Sequence, residues 1–235
     1  KGHPDIFMAR KELHYFGEDL GYHRPRRSLE NYLDHFKEAS TERRVGEAST
    51  WTLISQDAAA EIASFDSRAQ VILTLREPVS WLHSLHSHLV FSGDEPIARF
   101  EDALAAEADR VAGHGTPEQT IPRCALHYRG LVRYAEQVER FWSALGRDRV
   151  LVLLLDEMKA DPEGTYDRVL RFLGLPLEFP GRAEVLDASQ RSKNQNRSVR
   201  SRRLRDFIAH PSRRRVLEGV DPAPIPGWGM TIRLM

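Results

Sequence analysis

Two uninterrupted apolar runs and a series of helix-period stripes organise this chain. Val71-Ile72-Leu73-Thr74-Leu75 is short and aliphatic or β-branched, which predicts a strand buried on both faces of a parallel sheet. Arg149 to Leu155, RVLVLLL, is the most apolar stretch and predicts a second central strand. After the first run, Arg76-Glu77-Pro78 breaks the strand, and Pro78 suits the first turn of a helix. That helix carries Trp81, Leu82, Leu85 and Leu89 at helical spacing. Ser28 predicts a cap for a helix whose buried stripe is Leu29, Tyr32, Leu33 and Phe36. Residues 56 to 65 read as a short Ala-rich helix, and Phe100 to Val111 is helix-forming throughout. Cys124 to Leu145 predicts one long amphipathic helix with Leu131, Tyr134, Val138, Phe141 and Leu145 on its apolar face. A further helix starts around Asp156 to Pro162 and stops at Gly174. Asp5 to Met8 reads as an edge strand. Gly113 to Pro122 reads as a loop, a candidate lid, and the Pro-rich C-terminal tail reads as irregular. Strands alternating with helices predict an α/β fold with a mainly parallel central sheet and helices on both faces.

At 235 residues the chain suits one sizeable α/β domain, so residues 1–235 are expected to form a single domain. Charge is balanced, 34 Lys and Arg against 34 Asp and Glu, so no global field selects nucleic acid or an anionic membrane. The basic stretch from Gln190 to Phe207 has no aromatic before its last residue, which argues against a single-strand-binding arm. Cys124 is the only cysteine, which excludes an internal disulfide and points to a reducing compartment, the cytoplasm. No apolar run approaches a bilayer span. His83 and His86 are three apart, but spacing places no third ligand beside them, so no metal is expected.

Two stretches carry candidate chemistry. Arg76 stands at the carboxyl end of a predicted central strand, where ligands bind in open α/β sheets. The helix start that follows offers free N–H groups to an anion, and a guanidinium can grip a phosphate bidentately. Ser84 follows on the same helix and can add a hydroxyl. Near the start, Lys11, Glu12 and His14 stand among Tyr15 and Phe16. A carboxylate or imidazole there can take a proton while aromatics exclude water. The same residues also fit an amphipathic strand with charges on its wet face.

The segment Arg76-Glu77-Pro78 with Ser84 resembles the 3′-phosphate-binding segment of sulfotransferases that use 3′-phosphoadenosine-5′-phosphosulfate (PAPS). Glu77 stands where Asn is commoner. "HPDIF…KELHYF" resembles a segment of the bacterial and glycan-type members, and "DEM…FLGLP" resembles a later structural segment. Arg44 to Thr50 is similar to the family's "GE-S/T" strand end, with Ala48 where some glycan members carry a functional Lys. The resemblance implies a P-loop-NTPase-like three-layer sandwich. It implies Glu12 as general base, His14 as orienter and Lys11 as charge stabiliser. It implies that Arg76, Ser84, Asn196, Arg200 and Ser201 hold the 3′-phosphate. The implied reaction moves a sulfuryl group from PAPS to a hydroxyl or amine, leaving adenosine 3′,5′-bisphosphate. The acceptor classes left open are glycan, lipid, polyketide-bound hydroxyl and small hydroxyl compound, and the oligomeric state is open too. The family's Gly-rich phosphate loop is expected upstream of Lys1, since no such loop stands in this sequence. A catalytically inert module of the same fold and a related P-loop kinase are the alternatives.

Overall fold

The computed structural model describes residues 2–9, 12–22, 27–190 and 232–233. In chain order, β1 (Ile6–Met8) precedes α1 (Leu29–Asp34), β2 (Arg44–Gly46) and β3 (Ala48–Ser49). Then come α2 (Ala58–Phe65), β4 (Val71–Leu75), α3 (Pro78–Ser92), α4 (Phe100–Ala105) and α5 (Glu107–Val111). They are followed by α6 (Tyr128–Leu131), α7 (Tyr134–Leu145), β5 (Val150–Leu154), α8 (Leu155–Ala160), α9 (Pro162–Phe172), α10 (Arg182–Gln190) and β6 (Ile232–Arg233). Contacts divide the described residues into two compact units. One runs through Glu77 and resumes at Arg133; the other spans Pro78–Val132.

The first unit holds the strands. The two apolar runs become β4 and β5, paired in parallel from Val71–Val150 to Leu75–Leu154. β1 pairs in parallel with β2, and β3 pairs antiparallel with β6. Ile72 and Leu153 pack with Val169, Leu170, Leu173 and Leu175 from α9 and the turn after it. Each such aliphatic side chain contributes about 1.5–3 kcal/mol by leaving water. α9 has its expected signals. The Asp161 carboxylate accepts from the Gly164 N–H at 2.8 Å, Pro162 opens the first turn, and Gly174 takes φ 65 just beyond the end. The carbonyls left over at that end are used: Arg44 Nε donates to Leu173 O at 2.9 Å and Arg43 to Gly174 O at 3.2 Å. α2 buries Ala58, Ala59 and Ile62, and α7, which packs against it, buries Val138, Phe141 and Leu145.

Several predicted boundaries move, each for a tertiary reason. The expected helix from Cys124 to Leu145 breaks into a 3₁₀ turn at Arg123–Leu126, then α6 and α7. Tyr128 is drawn inward in the second unit, where its hydroxyl donates to Glu95 Oε2 at 2.7 Å. The expected helix from Phe100 to Val111 breaks at Ala106. There Glu107 turns inward to accept from the Arg129 N–H, and Arg110 is buried in a two-fold contact with Glu95. α1 ends before Phe36 and buries Tyr32, while Leu29 and Leu33 stay about half exposed (48% and 47%). The tail is not irregular throughout, since Ile232–Arg233 forms β6 on β3. No helix among the described residues is long and apolar enough to cross a membrane.

Candidate active site

The stretch from Glu12 to Phe16 is shaped by where its apolar residues go. Leu13 and Phe16 are buried (2% exposed each), and Tyr15 stacks on Tyr32 with ring centres 4.1 Å apart. The segment leaves this cluster at Gly17, whose φ of 88 suits glycine. A Cβ there would also press on Ser55 and Leu20 at 3.0 Å. Gly17 N–H is held by Glu61 Oε2 at 2.9 Å. Between the buried anchors the backbone takes an uncommon path. Glu12 has φ 61 and His14 φ 48, in the left-handed region that non-glycine residues rarely occupy. Such residues cost of order 1–3 kcal/mol each and persist where the surroundings over-determine them.

Here the surroundings are β3 and the residue after it. Glu12 N–H donates to Ala48 O at 2.8 Å, and His14 N–H donates to Ser49 Oγ at 3.0 Å. The Glu12 carboxylate is gripped on one side only. Thr50 N–H and Thr50 Oγ1 donate to Oε2 at 3.1 and 3.0 Å, and His14 Nε2 lies 3.1 Å from the same atom. Oε1 has no hydrogen-bond partner among the described residues, and the side chain is 39% exposed. Burial raises this carboxyl's pKa, but the hydrogen bonds from His14 and Thr50 outweigh it and hold the group below its ordinary value. The His14 ring stacks on Tyr22 at 3.8 Å between centres, nearly parallel. Its Nδ1 is buried without a hydrogen-bond partner among the described residues, and Nε2 is the nitrogen turned to Glu12.

Glu47 lies behind this pair. It is 1% exposed and accepts from Ser49 Oγ at 2.8 Å. Burial pushes its pKa up, Ser49 lowers it, the nearby Glu12 carboxylate raises it further, and the result is about 7.

Arg76 directly follows β4 and is partly exposed, with no hydrogen bond or ion pair among the described residues. Its neighbour Tyr134, at the start of α7, has a pKa pushed up to about 12 by burial and by Glu77, with Arg76 opposing. Ser84 sits on α3, in the second unit, partly exposed. In that unit His86 Nε2 contacts Ile97 O at 2.9 Å, and His83 packs on Phe100. Of the residues named from sequence, the structure brings Glu12 and His14 together. Lys11, Asn196, Arg200 and Ser201 lie outside the described residues. Sequence reasoning passed over Glu47, Ser49, Thr50 and Tyr22 as site residues. The "GE-S/T" stretch was legible as a strand end, but nothing in its spacing showed that it meets Glu12.

A family model described as the sulfotransferase domain matches residues 59–215, about two thirds of the chain. The chain belongs to the sulfotransferase domain family. The matched stretch includes Arg76 and Ser84 and begins after Glu12 and His14. The fold is similar to that of a solved sulfotransferase from Alicyclobacillus acidocaldarius. Identity is 28%, the likeness covers 80% of this chain and 82% of that one, and the TM-score is 0.66. The α/β class with mainly parallel strands, expected as a P-loop-like sandwich, is that of this sulfotransferase fold. Among curated proteins, none matches the chain.

Proposed function

We propose that this sulfotransferase moves a sulfuryl group from PAPS to a hydroxyl or amine acceptor, with Glu12 as general base. The observation that supports this most directly is the asymmetry of the Glu12 carboxylate. Oε2 is held by Thr50 and His14, while Oε1 is left to meet an incoming group. A base needs such a geometry: orientation by fixed donors and one oxygen within reach of the proton it takes. The lowered pKa keeps Glu12 ionised at neutral pH. In the proposed step Oε1 takes the acceptor proton, the acceptor atom bonds to sulfur, and the bond from sulfur to the phosphate oxygen breaks. Adenosine 3′,5′-bisphosphate leaves. As in phosphoryl transfer, the protein mainly positions the groups and stabilises charge.

In this reading His14 orients Glu12 and Lys11 stabilises the sulfuryl charge. Arg76 and Ser84 hold the 3′-phosphate together with Asn196, Arg200 and Ser201. Arg76 suits that role, because a partly exposed guanidinium with no hydrogen bond or ion pair among the described residues stands at the carboxyl end of a parallel strand. Residues 1–235 act as a single sulfotransferase domain in the cytoplasm, the compartment that a lone cysteine favours. The acceptor is a glycan, lipid, polyketide-bound or small hydroxyl compound.

The test is transfer of radiolabelled sulfate from PAPS across those acceptor classes. Glu12→Gln keeps the shape and removes the base, so turnover should fall about 10²- to 10⁴-fold with donor affinity unchanged. Glu18→Gln, on an exposed residue nearby, should leave turnover close to that of the unaltered chain. Equal losses at the two positions would show that the segment serves folding only.

A further inference from the structure

We propose that Ser49 and Glu47 are positioning residues that hold the turn carrying Glu12 and His14 in its left-handed path. This rests on the reading of Glu12 as the base.

Two non-glycine residues with positive φ, Glu12 and His14, stand two residues apart. Something must offset that cost. Glu12 is held twice over, by its own N–H on Ala48 O and by Thr50 on its carboxylate. At His14 the one backbone hold among the described residues is N–H to Ser49 Oγ. Ser49 is fully buried (0% exposed), so water cannot replace its hydroxyl. Accepting from His14 obliges that hydroxyl to point its own hydrogen elsewhere, and it points to Glu47 Oε2. Glu47 therefore fixes the rotation of the Ser49 hydroxyl, Ser49 fixes the His14 backbone, and the His14 ring meets the Glu12 carboxylate.

Glu47 is faced by Ser49, by the Glu12 carboxylate, and by Tyr32 of α1. No cation is among these groups. Its pKa, pushed up to about 7, agrees with a buried carboxyl whose neutral form is favoured where it sits. Ionised, it would set a second negative charge beside Glu12, and like charges so placed repel.

The experiment uses the full chain. In Ser49→Ala, the His14 amide should lose its protection from hydrogen exchange, and kcat should fall about 10- to 100-fold with donor KM unchanged, the scale of a misplacement of about 1 Å. Glu47→Ala should behave alike. Glu47→Gln keeps an acceptor oxygen for Ser49 and should recover most of the lost kcat. It should also lack the decline in kcat that is expected of the unaltered chain as pH rises through about 7 and Glu47 takes on its charge beside Glu12. Unchanged His14 exchange in Ser49→Ala would overturn the hold. A pH profile in Glu47→Gln identical to that of the unaltered chain would overturn the role of Glu47, including where the alanine variants fail to fold. Should Glu12→Gln prove silent, the base is misassigned, and His14 exchange still decides whether Ser49 holds the turn.

Discussion

Arg76 shows what one side chain at a strand end can be asked to do. It follows Leu75, the last residue of β4, and finds no ion-pair partner among the described residues. Such a guanidinium contributes little to folding and much to an anion. Arg76→Ala should therefore weaken binding of adenosine 3′,5′-bisphosphate by about 1.5–3 kcal/mol, the scale of a lost hydrogen bond to a charged group. The melting temperature should hardly move. Titration calorimetry reads the first and thermal unfolding the second; unchanged affinity would remove Arg76 from the donor site. Glu12 contrasts with it, because its carboxylate is already committed on one oxygen, so its replacement is read in rate and not in binding.

Among the elements, the second unit is pinned by a buried polar cluster. Glu95 and Arg110 pair with side chains 0% and 2% exposed. Glu95 also accepts from Tyr128 and from the Ile97 N–H, so both of its oxygens are used. Burial raises the Glu95 pKa, but Arg110 and Tyr128 outweigh it and keep the carboxyl below its ordinary range. The cluster joins α5, α6 and the chain after α3, and it draws inward Arg110 and Tyr128, one from each of the two stretches that read as single helices in sequence. Removing one member strands the other: Arg110→Ala leaves Glu95 buried without its cation and should destabilise the protein by about 3–5 kcal/mol. Denaturant unfolding measures this. A cost below about 1 kcal/mol would mean the pair behaves like an exposed one.

For the molecule as a whole, net charge is zero, so pH dependence comes from individual buried groups and not from general repulsion. Glu47 is the group to watch. Its pKa rises on folding from 4.5 to about 7, so between those values the folded chain binds more protons than the unfolded one. Stability from this group is complete below pH 4.5 and declines as pH rises towards 7. Glu12, shifted the opposite way, adds stability that is lost only as pH falls through its lowered value. Thermal melts of the unaltered chain should slope downward between pH 4.5 and 7, and those of Glu47→Gln should lack that slope. Parallel curves for the two proteins would mean that Glu47 ionises as readily folded as unfolded.

The sequence alone determined what depends on neighbours along the chain. The β-branched and aliphatic run Val71–Leu75 and its partner at Val150–Leu154 read as strands from their own composition, and they pair in parallel, although Leu154 at the end of the second is exposed. Asp161, Pro162 and Gly174 marked the ends of α9 because caps act within one turn. The Glu12–His14 pair was legible as candidate chemistry, since its members are two residues apart. What tertiary structure decided was everything that turns on distant partners. Phe100 to Val111 reads as one helix in sequence, and nothing in it shows that Glu107 and Arg110 turn inward to meet Arg129 and Glu95. Ile232–Arg233 became a strand only because β3 offered an edge. Glu47, Ser49 and Thr50 stand some 35 residues from Glu12 and His14, and the positive φ values that bring them together leave no trace in a pattern of polar and apolar letters. Hydrophobic period records which face is buried; it carries no information on which polar group waits on the other side.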